Sequence, residues 1–367
     1  MADDFKYHIG HAGGLVRPAA LLEARRSRAG DRLDEAGLAA ATEDAIAEAA
    51  RHQRRIGMSA ISDGQYRRAS SASVLYSGVE GFDGVTGSAL TDLLGEAASL
   101  PGSPAVVAKL EAAGRLAGTE AAYLLQVTQR STELALPAAG YVAERSFDAS
   151  RTPAAYASPE LVGAELAGIL RTEIQALAAE GVRHVQVANP GYALTVSRAG
   201  RDRLRAHGID PDLLLDRMSE ADRSTVEALD TDETFRVSLD ITTGGSVDLT
   251  GGYDAGAVVR FFDRLPFYRV QVEHLAGADF PLSLVPSGRV VALGVVDVHA
   301  ASTPPVEELL DRVDAATSVL DVDDIAISTN GSFAPVADAP GQLTWAEQAK
   351  RLQLVEMLAR YYWGNEL

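Results

Sequence analysis

Apolar and polar positions along this chain follow two periods in turn, and the sharpest segment is Arg289–His299, RVVALGVVDVH. Its apolar run ends in an acid and a histidine, then Ser302-Thr303-Pro304 leads into a helical pattern. A short apolar run bounded in this way predicts a buried strand that delivers Asp297 and His299 to the edge from which a helix departs. Comparable strands are predicted at Met58–Ser62, Val182–Val187, Arg236–Ile241, Arg269–His274, Val290–Val296 and Asp324–Ser328. Helical spacing predicts Asp31–Arg55 closed by Gly57, and a helix from Ser158 as N-cap and Pro159 in the first turn to Ala179, closed by Gly181. Further helices are expected near Asp254–Arg264, Val306–Val319 and Trp345–Trp363.

Strand and helix alternate to the end, which implies a parallel sheet of the α/β class. Roughly eight such units favour a closed (β/α)8 TIM barrel over an open doubly wound sheet. The glycine pairs Gly244-Gly245 and Gly251-Gly252 do not supply the G-x-G-x-x-G of a dinucleotide fold. Ser70 to Gly118, rich in Ser, Gly and Ala with weak periodicity, is expected to be a loop excursion over the barrel mouth. No repeat or linker divides the chain, so a single domain over 1–367 is expected.

An apolar content of 47% over 367 residues is ample for a packed core, and no run approaches the length of a membrane span. The N-terminus, MADDFKYHIGH, lacks the layout of a signal peptide, so a cytoplasmic protein acting on a small molecule is expected. A net charge of −18 argues against a nucleic-acid surface, and homo-oligomerisation is left open. With no cysteine, disulfides, thiolate chemistry and sulfur-ligated zinc are excluded.

A barrel places its chemistry at the C-terminal ends of its strands. The polar residues there are Asp63, Gln65, Gln186, Asn189, Asp240, Glu273, His274, Asp297, His299, Ser328 and Asn330. Each can also be only a turn-former or helix cap. His299 stands out because an imidazole exchanges protons near neutral pH.

Five segments, in order, resemble the cobalamin-independent methionine synthases, in particular single-domain relatives of their catalytic half. His11-Ala-Gly-Gly-Leu-Val-Arg17-Pro18 resembles H-V-G-S-x-x-R-P, and Asp63-Gly64-Gln65-Tyr66-Arg67-Arg68 resembles D-G-E-[FY]-R-R. Val185-Gln186-Val187-Ala188-Asn189-Pro190 resembles [IV]-Q-[IV]-D-[ED]-P, Gly294–His299 resembles G-V-x-D-[IV]-H, and Ala349 to Gly364 resembles the closing A-K-L…W-G. The resemblance implies the same (β/α)8 barrel.

The departures matter as much. The family's zinc ligands, a histidine and a cysteine on one strand, a glutamate on the next and a late cysteine, correspond here to Asp240, Thr242, Glu273 and Gly331. The two acids that grip the homocysteine ammonium group correspond to Gln65 and Ala188. Methionine synthesis at a zinc-thiolate centre is therefore not expected; a hard cation held by Asp240, Glu273, Asn330 and Thr242 is a smaller alternative.

The resemblance leaves an acid/base set, with His299 as proton donor, Asp297 orienting it, and Glu273 as general acid or base. The implied pocket comprises His11, Arg17, Asp63, Gln65, Tyr66, Arg67, Gln186, Asn189, Asp240, Thr242, Asn330 and Phe333. Arg17 and Arg67 would bind a substrate carboxylate or phosphate, or pair with a mouth acid such as Asp63. Three readings stay open: alkyl or one-carbon transfer without metal, with a reduced folate as one donor; a metal-independent lyase, hydrolase or isomerase; and a non-catalytic binding protein. Elemental mass spectrometry of protein purified without chelator or affinity metal is expected to find zinc well below one per chain. Zinc near stoichiometry would return thiol alkylation as the leading reading.

Overall fold

The computed structural model describes residues 7–86, 88–94, 103–300, 302–337 and 343–364. Residues 1–6 of the N-terminus read for a signal peptide, and parts of 70–118, lie outside the described residues. Helices α1 (Ala19–Ala29) and α2 (Glu35–Ile56) precede strand β1 (Ile61–Ser62). Then come α3 (Ser73–Gly78), β2 (Val79–Asp83), α4 (Ala89–Leu93), β3 (Ala105–Ala112) and α5 (Gly118–Val127). Strand β4 (Thr132–Pro137) leads to α6 (Ala139–Ser146) and α7 (Pro159–Glu180), and β5 (His184–Ala188) to α8 (Gly191–Val196), α9 (Arg198–Ala206) and α10 (Pro211–Val226). Strand β6 (Arg236–Asp240) is followed by α11 (Ala255–Arg264), then β7 (Arg269–Glu273), β8 (Val290–Val296), α12 (Val306–Thr317), β9 (Ile325–Thr329) and α13 (Trp345–Trp363).

Strands β1, β4, β5, β6, β7, β8 and β9 neighbour one another in that order, all parallel. The N-terminal segment closes the ring. Ile9 and Ala12 form parallel bridges to Ile327 and Ser332, while the Leu15 amide donates to the Gly64 carbonyl beyond β1. The architecture is a (β/α)8 barrel, as the alternation implied. No helix among the described residues is long and apolar enough to cross a membrane.

Local signals explain the boundaries. Asp34 caps α2 by accepting from Gly37 N at 2.8 Å, and Gly57, at φ 103°, ends it. Pro159 opens α7 and Gly181 closes it, but the Ser158 hydroxyl makes no capping bond to the helix backbone. Thr344 and Glu347 form a reciprocal capping box on α13. Among the described residues of Ser70–Gly118, β2 and β3 pair antiparallel, β3 packs beside α7, and Ser70–Ala72 and Leu94 line the mouth, so this part is not only a loop excursion. Between β7 and β8 there is no α-helix, only the single turn Leu282–Leu284.

HVQVA, RVSLD and RVQVE, the strands β5, β6 and β7, alternate branched apolar with polar residues, so the pleat sends the two sets to opposite faces. Val185, Val187, Leu239, Val270 and Val272 join the main core with the helices. The other set meets inside the barrel. His184 pairs with Glu133 at 2.7 Å and bonds Ser238 at 2.7 Å, Gln186 bonds Gln271 at 3.4 Å, and Arg269 donates to the Tyr7 carbonyl at 2.9 Å.

Burial alone would raise the Glu133 carboxyl, but the charge and hydrogen bond of His184, with His11 and Arg269 behind them, outweigh it and hold Glu133 down at about 2. Because the folded value lies below the ordinary 4.5, this stabilisation is complete above about pH 4.5 and lost as pH falls through about 2. Glu133→Gln should therefore lower unfolding free energy at pH 7 by on the order of 3 kcal/mol, the cost of leaving one partner of a buried pair. Chemical denaturation at several pH values checks this, and the deficit should narrow below about pH 4.

Candidate functional site

The C-terminal strand ends surround a cavity of about 530 Å³. Gly13 enters it from the N-terminal segment, Pro137 and Ala188 from the ends of β4 and β5, Asp240 from the end of β6, His299 from beyond β8 and Ser332 from beyond β9. The five residues Thr242–Ser246 form one stretch of its wall.

Three strand-end acids share burial but differ in partners. Asp240 is buried, and its Oδ1 accepts from Thr242 N at 2.9 Å and Thr242 Oγ1 at 2.7 Å. Burial, reinforced by the negative charges of Glu273 and Glu133, overcomes those bonds and pushes Asp240 up to about 6. Glu273 is also buried, and its oxygens accept from Thr243 N at 2.7 Å, Thr243 Oγ1 at 2.6 Å and Gly245 N at 3.1 Å. Burial raises its pKa against these bonds. Asp63 accepts from Gln65 N at 2.9 Å, while its Oδ2 is buried without a hydrogen-bond partner. Burial first, then the charge of Glu120, pushes it to about 6.

His299 is exposed at the cavity, on a turn held entirely through its backbone. Asp297 Oδ1 accepts from His299 N at 2.8 Å, and Asn330 Oδ1 accepts from Val298 N at 2.9 Å. Arg351 donates to the Asp297 and Ala300 carbonyls on either side. Asp297 thus fixes the peptide that carries the imidazole.

The geometry corrects several sequence expectations. Glu273 does not line the cavity; its carboxylate is turned into the Thr243–Gly245 loop. Arg17 is buried and donates to the Gln65, Arg68 and Ala334 carbonyls, joining the loops after β1 and β9. Tyr66 donates to the Val16 carbonyl at 2.7 Å. Arg67 lies between α2 and α5, 3.4 Å from Glu43 and over the Tyr123 ring. Asn189 bonds Asp222 at 2.8 Å, in a buried cluster with Tyr192 and the Gly140 amide. Phe333 belongs to the core.

Other expected residues form the layer inside the barrel near Gly13 rather than the cavity wall. His11 lies 3.2 Å from Ser62 Oγ, and Gln186 bonds the His11 carbonyl and Gly13 N. Gln65, at φ 59°, accepts from Ser71 at 2.9 Å, next to the Ser71 that lines the mouth. Of the expected set, Asp240, Thr242 and His299 line the cavity together.

Sequence reasoning missed Tyr141 and Arg145 of α6, which line the cavity with Arg145 donating to the Tyr141 hydroxyl at 2.8 Å. The available signal was Thr132–Pro137, TELALP, an alternating run whose recognition would have placed α6 at a strand end. It also missed Thr243, Gly244, Gly245 and Ser246, which follow Asp240 directly. Among the described residues no group of three or more His, Cys, Asp or Glu side chains is arranged to hold a metal ion.

No protein-family model matches the chain. It is 23% identical over 371 residues to the uncharacterized protein YxjH of Bacillus subtilis (strain 168), covering 97% of this chain and 95% of that one. A Listeria monocytogenes structure provisionally assigned as a vitamin-B12 independent methionine synthase superposes with a TM-score of 0.75 at 15% identity, covering 98% of both chains. The B12-independent methionine synthase of Shewanella sp. W3-18-1, solved with selenomethionine, superposes with a TM-score of 0.73 at 19% identity, covering 96% of both. The chain therefore has the (β/α)8 fold of methionine-synthase-like proteins.

Proposed function

We propose that this chain is an enzyme that transfers an alkyl or one-carbon group between small molecules in the mouth cavity, to an acceptor other than a zinc-bound thiolate. One observation carries the reading: Asp240, with its carboxyl near 6, and the His299 imidazole line the same cavity. Two proton-exchanging groups on one pocket suit general acid/base chemistry.

In the proposed step the acceptor heteroatom attacks the alkyl carbon while the bond from that carbon to the donor breaks. Asp240, ionised, takes the acceptor's proton, and His299 gives a proton to the leaving heteroatom. Asp240 here fills the acid/base place that the sequence expectation gave to Glu273.

The donor set does not fit zinc. Asp240, Thr242 and Glu273 offer only oxygen, Gly331 offers no side chain, and Glu273 is already engaged by three hydrogen bonds. By analogy of fold, the Shewanella methionine synthase holding selenomethionine and the Listeria structure provisionally assigned to the same activity support alkyl-bearing sulfur compounds as donors or products. Asp240's raised pKa also favours a second reading, a metal-independent lyase, hydrolase or isomerase, which would turn over without any alkyl donor.

Calorimetric titration with reduced folates, thioethers and sulfonium compounds is expected to find saturable binding of at least one. No binding across the panel overturns the transfer reading. With a donor in hand, His299→Ala should keep binding and lose about 10²-fold or more in turnover, the usual share of a general acid. With Asp240 as base, kcat/KM should rise with pH through about 6, because only the ionised carboxylate accepts a proton. Asp240→Asn should abolish that limb of the profile.

A further inference from the structure

The wall Thr242–Ser246 belongs to no helix or strand, and Gly244 and Gly245 adopt φ of 63° and 81°. An irregular loop keeps one shape only where its amides find fixed partners. Gly244 N donates to the Asn330 carbonyl at 3.1 Å. Three more bonds end on one side chain: both oxygens of Glu273 are occupied, one by the amide and hydroxyl of Thr243, the other by the Gly245 amide. The carboxylate therefore sits behind the wall and grips it on either side of Gly244.

Gly244 is also where the wall meets the imidazole. A methyl group on its α-carbon would stand 3.1 Å from His299 Nε2 and 3.4 Å from Cδ2, so the ring edge rests against this residue. The same methyl would stand 3.8 Å from the Gly331 α-carbon, so Gly244 is confined from a second side. Movement of Gly244 therefore moves the surface on which the His299 ring lies.

We propose that Glu273 is a positioning residue: its carboxylate latches the Thr243–Gly245 wall and, through Gly244, sets where the His299 imidazole stands in the cavity. The requirement is for a carboxylate. Two acceptor oxygens face three donors here, and an amide has a single acceptor oxygen, so Glu273→Gln must aim its N–H at either Gly245 or Thr243. The inference concerns the arrangement of the site and stands whether or not group transfer is the reaction.

The test needs no substrate. Histidine ring resonances are recorded by NMR on the full, unliganded chain, with His299 assigned by its loss in His299→Gln. In Glu273→Gln the His299 ring signals should move by more than their line width. His8 and His184, bonded to the Ile325 carbonyl and Ser238 well away from the wall, should stay in place. Thr243→Val, which removes the hydroxyl bond to Glu273 and the longer one the hydroxyl accepts from Val247 N at 3.3 Å but keeps both amide bonds to the carboxylate, should move His299 in the same direction and less. An unmoved His299 in Glu273→Gln overturns the proposal, and so does a shift shared by all the histidines, which would report a general loss of structure. Where Glu273→Gln does not fold, Thr243→Val decides alone: His299 displaced supports the latch, and His299 unmoved overturns it.

Discussion

The pleat of the parallel strands is the constraint from which the rest of this structure follows. Once Val185, Val187, Leu239, Val270 and Val272 face the helices, His184, Gln186, Ser238, Arg269 and Gln271 have nowhere to go but the barrel interior. Buried polar groups are costly unless satisfied. The interior therefore organises itself as pairs: Glu133 with His184, Gln186 with Gln271, and Arg269 with the carbonyl of Tyr7 on the N-terminal segment. That last bond joins the closure of the ring to the content of its core, since the segment that completes the barrel also takes up one nitrogen of its buried guanidinium, the other two staying without a hydrogen-bond partner among the described residues.

The same pleat continues to the mouth, where pairing gives way to singly held acids. Asp240 stands on the inward face at the end of β6, where the charge that Glu133 carries below reaches it, and Glu273 stands at the end of β7. Their fates diverge through the loop that follows β6. Thr242 turns back on Asp240, Thr243 and Gly245 turn away to Glu273, and the chain between them becomes the cavity wall. One acid is left with an oxygen toward the cavity and a pKa near 6, while the other is consumed in shaping the wall.

Much of the frame was legible in the sequence because its signals are local. Gly57 and Gly181 end their helices in the left-handed region, the Trp345–Trp363 helix has the expected bounds, and Val290–Val296 is the strand that its apolar run predicts. Strand β1 shrank to Ile61–Ser62 because only those residues find a neighbour, in β4. Strand β4 itself and α6 went unseen, and with them Tyr141 and Arg145. The site was legible by place and not by role. Strand-end position put Asp240, Glu273 and Asn189 on one list and the family resemblance added Arg17, but only three-dimensional partners separate a carboxylate that faces a cavity from one that grips a loop. Arg17 shows the reason: a guanidinium beside the mouth reads as a ligand anchor until three backbone carbonyls are found around it.

The Asp297-Val298-His299 turn shows the same division between a held backbone and an open side chain. Every bond that fixes it runs through backbone: Asp297 to the His299 amide, Asn330 to the Val298 amide, and Arg351 of α13 to two carbonyls. An imidazole carried on a rigid peptide, with its ring outside that net of bonds, is placed without being committed to a partner. Its position then depends on whatever surface the ring leans against, which here is Gly244. Asp240 is held in the complementary way, by Thr242 on one oxygen and with the cavity beside it. His299, fixed at its backbone, and Asp240, fixed at a single carboxylate oxygen, each keep an atom available to a ligand. Proton transfer needs that arrangement, and a purely structural ion pair would have closed it.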